Sequence, residues 1–452
     1  MNKVENNDYE ELVKNYLWII SDKLRGAFDP SIWNEVVINI TFIKLVDEMK
    51  KSNTFNINNY IEKNFNFGEN FEEEISEFIK NNKILEDILT DGFIKFIFKY
   101  PNEFQKIVDK LIVYDFEAIN DYSEFFMEVL YQLEKRLGKV SAEITTPKSI
   151  NKLVTELVKD KNITSIYDGA IGTGCLVSEI AKNYKEYEIY GQDIFEYSIK
   201  ICKMNLILTG RFDLLSNIRI GNTISNPCFV EDNKVKQFDL VVSQPPFSIR
   251  DFGYDYIKED KYNRFYRGLP PKNKSDFAFL THYVESIKEK GLGIILVPGG
   301  VLFRGAAEEK IRKKFIEENI IDTVITLSTN MLYRTAIPIN IIIFNKDKKD
   351  KNILFIDASK ECKKGKMLTV LTDENIEKIV DIYNKREAIK GFSNLVTMEE
   401  VISNDYNLSV QRYIEMEDRK EIDIKIVTDE IEKLKGNLYK VQNRLDELIG
   451  NK

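Results

Sequence analysis

From about Asn7 to Lys135 the apolar residues recur at steps of three and four, as in LVKNYLWIISDKLRG, EVVINITFIKLVDEMKK, EEEISEFIKNN and EFFMEVLYQLEKRL. That period gathers them on one face of a helix, so residues 1–135 are predicted to form a helical amino-terminal domain. From Lys139 the period changes. Short β-branched runs (SIYD, EIYGQD, NIRIGN, FDLVVSQ, GLGIILVPG, DTVITLS, NIIIFNK and NILFIDA) alternate with helix-length stretches. Strands separated in this way specify a parallel or mixed sheet with helices on both faces, which predicts an α/β domain over residues 136–400. In the remaining segment, 401–452, Ile424, Val427, Ile431, Leu434, Leu438, Val441, Leu445 and Leu448 alternate steps of three and four, a heptad seam. A seam needs a partner helix. The chain's own amino-terminal helices are one candidate and a separate chain is the other.

Two of the strands end in residues suited to ligand binding. FDLVVSQPPFS, from Phe238 to Ser248, is an apolar run that stops at Gln244-Pro245-Pro246-Phe247. The proline pair cannot continue a ladder and fixes φ twice, so an amide, a carbonyl and an aromatic face are held at the carboxyl end of a strand. Such a triplet can grip a planar amine, although a loop of this composition can also simply end a strand. Upstream, ITSIYDGAIGTGCL (Ile163 to Leu176) reads as strand, glycine loop and helix start, the layout of a nucleotide-like cofactor site. Gly172 and Gly174 let backbone approach a ligand, and the next strand ends in Asp193, placed to bind the hydroxyls of a ribose.

With these motifs and the following IRIGNTI (Ile218 to Ile224), the chain resembles the modification subunit of type I restriction-modification systems, adenine-N6 DNA methyltransferases that use S-adenosylmethionine. The resemblance covers nearly the whole chain. It includes Leu17 to Glu48, Thr146-Pro147, Asp168 to Gly174, Gly191 to Asp193, Gln244 to Phe247, Arg264 to Leu280, Val297 to Phe315 and Asn404 to Ile414. It implies a Rossmann-like S-adenosylmethionine-dependent methyltransferase core with a helical amino-terminal domain and a coiled-coil-like carboxy-terminal helix. Gln244, Pro245, Pro246 and Phe247 would be catalytic. Thr146, Asp168, Gly172, Thr173, Gly174, Asp193 and Asn222 would hold the cofactor, Asp193 at the ribose and Asn222 at the adenine edge. The implied partners are double-stranded DNA, a DNA-specificity subunit that chooses the target sequence and meets the heptad helix, a second copy of this chain and a restriction subunit.

The chain departs from the family's pattern at four places. Gln244 replaces its Asn, Asp168-Gly169-Ala170-Ile171-Gly172 replaces its usual Asp-Pro-Ala-Cys-Gly, Ile144-Thr145 replaces an aromatic pair, and Asn222 replaces an acid. The family geometry draws the two N6 hydrogens of a flipped adenine to the side-chain oxygen of the first motif residue and to the Pro245 carbonyl, with Phe247 stacked on the base. Gln244 keeps the amide but adds one methylene, roughly 1.5 Å. Misplacement by about 1 Å can cost on the order of 100-fold, so a scaffold that has lost chemistry is the alternative to an active enzyme. Methylation of another planar amine, such as a protein glutamine amide, is a third reading, opposed by the amino-terminal helices and the Asn404 to Ile414 segment.

Composition narrows the chemistry further. A 452-residue chain that is 43% hydrophobic can bury more than one core, which predicts two or three domains. No apolar run approaches the roughly 20 residues of a membrane helix and the start, MNKVENNDYEELVK, has no signal-peptide core, so a cytoplasmic location is expected. Four cysteines without CxxC spacing suggest neither a disulfide framework nor a metal site. The single histidine, His282, excludes multi-histidine metal sites and is expected to be a packed or surface residue of a helix. The formal charge of −8 argues against a protein that wraps nucleic acid unaided. A partial answer lies after Phe247, where Arg250, Lys258, Lys261, Arg264, Arg267, Lys272 and Lys274 interleave with tyrosines and are expected to contact phosphate.

Overall fold

The protein is described from a computed structural model covering residues 8–21, 30–65, 71–112, 114, 116, 119–137, 145–333, 335–365, 367–414 and 424–450. The departure at Ile144 and the change of period at Lys139 lie outside these described residues. Among the described residues six α-helices come first: α1 (Asp8–Ser21), α2 (Pro30–Lys51), α3 (Phe71–Asn81), α4 (Asp91–Lys99), α5 (Pro101–Ile112) and α6 (Tyr122–Leu137). The sequence patterns above omit α4 and α5. Pro101 marks the start of α5, since its missing N–H is one that a helix leaves unpaired there anyway.

Next come α7 (Lys148–Val158), β1 (Ser165–Asp168), α8 (Cys175–Ala181), β2 (Glu188–Asp193), α9 (Glu196–Leu208) and β3 (Ile218–Ile220). A hairpin of β4 (Val230–Glu231) and β5 (Lys234–Val235) precedes β6 (Phe238–Ser243), α10 (Tyr254–Ile257), α11 (Asp276–Glu285) and β7 (Ile287–Pro298). Then follow α12 (Ala307–Glu317), β8 (Ile321–Thr326), β9 (Ile339–Asn345), β10 (Ile353–Asp357) and a second hairpin of β11 (Lys363–Lys364) and β12 (Thr369–Val370). α13 (Asp373–Lys385), β13 (Ser393–Val396), α14 (Met398–Ser403) and α15 (Ile424–Gly450) complete the chain.

The main sheet has nine strands in the order β13-β10-β8-β9-β7-β6-β1-β2-β3. It is mixed: β9 runs antiparallel to β7 and β8, and β13 antiparallel to β10, whereas the pairs from β3 through β7 are parallel. Along β7, Ile294 and Leu296 enter one apolar layer with α7, α8 and α13, and Ile295 and Val297 enter the other with α11 and α12. A sheet covered on both faces needs apolar residues in both registers, which is why these strands read as unbroken hydrophobic runs. The strand order reverses between β1 and β6, so their carboxyl ends border the crevice where open α/β sheets bind ligands.

α9 joins the two cores. Its Ile199, Cys202 and Leu206 pack on the sheet, while Ile201, Met204, Ile207 and Leu208 pack into the core of the amino-terminal helices. α15 differs from every other long helix. Leu434, Leu438 and Val441 of its seam are 63%, 59% and 66% exposed, so the amino-terminal helices do not cover them. Among the described residues no helix is long and apolar enough to cross a membrane.

Candidate active site

A cavity of about 860 Å³ opens at the carboxyl ends of β1, β2, β3 and β6. The structure brings Thr146, Asp168, Gly172, Thr173, Asp193, Asn222, Gln244, Pro245, Pro246 and Phe247 to its wall. Gly174 is set behind it. A Cβ there would lie 2.6 Å from Cys202 Sγ, so this glycine, at a φ of 77°, serves the close approach of α8 to α9.

The glycine loop's backbone is held by neighbouring side chains. Gly172 has a φ of 54°, in the left-handed region, and its N–H donates to Asp193 Oδ2 at 2.9 Å while the Phe195 N–H donates to Oδ1 at 2.9 Å. Burial raises the Asp193 carboxyl above its ordinary range, and these backbone donors oppose the rise. Asn205 Nδ2 donates to the Thr173 carbonyl at 3.0 Å, tying the loop to α9. Asn222, expected at a ligand edge, also caps its own turn, accepting from the Ile224 and Ser225 N–H groups at 2.9 and 3.1 Å. Ile194 and Phe195 line the cavity yet are 58% and 65% exposed. The sequence reading missed them, although an apolar pair directly after a strand-end acid was the available signal.

A buried chain of hydroxyls links this loop to the next strand. Ser243 Oγ donates to Asp168 Oδ1 at 2.6 Å and lies 2.9 Å from the Tyr283 hydroxyl, and the Ala170 N–H donates to the same Asp168 oxygen at 2.9 Å. Burial, helped by the Asp193 charge, pushes the Asp168 carboxyl up to about 7 against those hydrogen bonds. Gly169 has a steric reason of its own. A Cβ there would lie 2.8 Å from Thr223 Cγ2, 2.8 Å from the Tyr167 hydroxyl and 2.9 Å from Tyr283 Cε1, so aromatic side chains fill the space beside the departure from Pro.

Across the cavity, Gln244 leaves the end of β6 with its Oε1 buried and without a hydrogen-bond partner. An unpaired buried acceptor costs about 1–3 kcal/mol unless a donor reaches it. Thr145, also on the wall, has a buried hydroxyl in the same condition. The motif's exit is firmly anchored. Ser248, at a φ of 52°, gives its N–H and Oγ to the two Asp276 oxygens at 2.7 and 2.9 Å, and Arg304 Nη2 donates to Asp276 Oδ2 at 2.8 Å.

The basic insertion needs correction. Arg264 is 2% exposed and pairs with Asp260 at 2.6 Å, while its other nitrogens donate to the Thr223 and Ile224 carbonyls and to His282 Nδ1. Arg267 is buried between Glu285 and Glu318 at 2.5 and 2.6 Å. Both are structural and neither is available to phosphate; Arg250, Lys261 and Lys272 remain exposed. A guanidinium can only donate, so His282 Nδ1 accepts and Nε2 carries the proton toward the Tyr167 oxygen, 2.9 Å away. Burial and the Arg264 charge hold this histidine well below its ordinary pKa, so it is neutral. Remote from the glycine loop in sequence, it sits behind β1 in space.

Residues 116–422 match the family described as N-6 DNA Methylase. The chain belongs to the N-6 DNA methylase family. Its relatives include the type I restriction enzyme MjaVII methylase subunit of Methanocaldococcus jannaschii, 33% identical over 354 residues, which cover 74% of this chain and 59% of the relative. The MpnII methylase subunit of Mycoplasma pneumoniae is 29% identical over 349 residues, covering 74% of this chain and 64% of its own length. The chain thus spans about six-tenths of the length of these curated relatives. Among solved structures, a type I restriction-modification methyltransferase subunit from Streptococcus thermophilus aligns with a TM-score of 0.71 at 24% identity over 91% of this chain and 100% of that one. That similarity establishes the Rossmann-like methyltransferase fold of the N-6 DNA methylase.

Proposed function

We propose that this N-6 DNA methylase is the modification subunit of a type I restriction-modification system, methylating the N6 amine of an adenine flipped out of double-stranded DNA. The observation that carries this reading is that Gln244, Pro245, Pro246 and Phe247 line the same cavity as the glycine loop, with Gln244 Oε1 buried and unpaired. The adenine amine is a weak nucleophile because its lone pair is delocalised into the ring. Accepting one N6 hydrogen at Gln244 Oε1 and the other at the Pro245 carbonyl frees that lone pair, and Phe247 stacks on the base.

The residues opposite fit S-adenosylmethionine, which supplies an electrophilic methyl group when bound. Gly172 and Thr173 would border it, Asp193 presents a carboxylate at a strand end, and Thr146, Asp168 and Asn222 complete the wall. Gly174 acts through the loop's shape. Residues 1–135, 136–400 and 401–452 form the helical, catalytic and assembly units of this reading, in a cytoplasmic complex with a DNA-specificity subunit, a second copy and a restriction subunit. The exposed seam of α15 supports a separate chain as its partner. Leu434→Glu with Leu438→Glu should abolish co-purification with the specificity subunit, and unchanged assembly would refute that role.

Tritiated methyl donor, incubated with DNA and the chain assembled with its specificity subunit, tests the activity. Label should be recovered as N6-methyladenine. Label absent from adenine while the donor is still bound would leave the scaffold alternative.

A further inference from the structure

The β11–β12 hairpin was not among the predicted elements, yet it is fastened to the cavity's rim. The Thr369 N–H donates to the Asn330 carbonyl at 2.8 Å, and Asn330 Nδ2 donates to the Met367 carbonyl at 3.0 Å. Asn330 opens the loop that supplies Leu332, Thr335 and Ile337 to the cavity wall. The hairpin and its approach carry Lys360, Lys363 and Lys364, all exposed and none within ion-pair distance of an acid among the described residues. The acids around them are engaged elsewhere or set apart. Glu361 pairs with Lys378 at 2.5 Å, Asp373 with Lys152 at 2.8 Å, and Glu374 feels the Lys363 charge without pairing with it. Met367 stands 49% exposed beside them, and Ile337 is 45% exposed on the loop to which they are tied.

From this we infer that the β11–β12 hairpin is a clamp for the nucleic-acid backbone, with Lys360, Lys363 and Lys364 meeting phosphates that flank the base entering the cavity. Three features select that partner. In a chain of net charge −8 three exposed lysines without an ion pair among the described residues stand within five positions of one another. That element is hydrogen-bonded to the wall of the cavity a flipped base would enter. Two of the three arginines of the insertion after Phe247, Arg264 and Arg267, are committed to Asp260, Glu285 and Glu318. Flexible lysines give sequence-independent contacts, which suits a chain that leaves sequence choice to another subunit. The inference rests on the DNA-methylating reading above.

The test uses the chain assembled with its specificity subunit and measures both duplex binding and methyl transfer over a salt series. Each phosphate contact contributes about 0.9 to the slope of log affinity against log salt, so Lys363→Gln with Lys364→Gln should lower that slope by about 2. The KM for DNA should rise about tenfold at the higher salt while kcat and donor affinity stay unchanged. Lys363→Arg with Lys364→Arg should restore both values. An unchanged slope and KM in the Gln variant would overturn the clamp and leave the function standing. Duplex binding that loses slope in the variant, in an assembly without methyl transfer, would keep the clamp and remove the enzymatic reading. No duplex binding by the unaltered assembly would overturn both.

Discussion

The two ends of the cavity are built on different principles. At the glycine-loop end most polar groups find partners within the chain: Asp193 takes the N–H groups of Gly172 and Phe195, Asp168 takes Ser243 and Ala170, and Asn205 Nδ2 holds the Thr173 carbonyl, with Asn205 Oδ1 left unpaired. At the other end Gln244 Oε1 is buried and unpaired. A satisfied network holds one shape before any ligand arrives, whereas an orphaned acceptor is tolerated where a ligand will supply the donor. On the proposed function, the contrast is one between a cofactor cradle shaped by the chain itself and a reactive end that the substrate completes.

If the cradle is preformed by shared hydrogen bonds, removing one should cost binding more than its own contact with the ligand. Asp193→Ala frees two backbone donors as well as the strand-end carboxylate, so donor affinity should fall about 10- to 100-fold by calorimetry. A loss below threefold would show that the loop holds its shape without this residue.

A smaller effect concerns Asp168 in the protein without donor. Its carboxyl titrates near 7 when folded and near 3.8 as a free group, so between those values the folded state keeps a proton that the unfolded state releases. Stability from this group is therefore lost as pH rises through that window. Asp168→Asn should be the more stable form at pH 8, by on the order of 1–4 kcal/mol, with the gap closing as pH falls toward 4. Thermal unfolding across that range checks the sign, and a gap independent of pH would break the account of the cradle.

Much of the site was legible because its signals are local. The glycine loop, Asp193 and the Gln-Pro-Pro-Phe motif each encode a turn and a chemistry within a few residues, and the strand order delivers them to one crevice. The heptad of α15 was legible because its period is uninterrupted over the helix. What was not legible depends on partners distant in sequence. Arg264 and Arg267 looked like phosphate contacts until His282, Glu285 and Glu318 came into place around them. The hydroxyl link from Ser243 to Tyr283 spans 40 residues, and the need for Gly169 arises from Tyr167 just before it together with Thr223 and Tyr283 on two other segments. The hairpin at Lys363 is too short for any periodicity to mark it.

Gln244→Leu tests the central claim most directly, because it keeps the volume while deleting the acceptor. If the amide oxygen is held unpaired for a substrate donor, the variant should unfold at or above the wild-type Tm, bind the methyl donor with unchanged affinity, and lose at least about 100-fold in methyl transfer to DNA. A variant with lowered Tm and wild-type transfer would contradict the claim, since the glutamine would then be a packing residue and the reactive end would lie elsewhere.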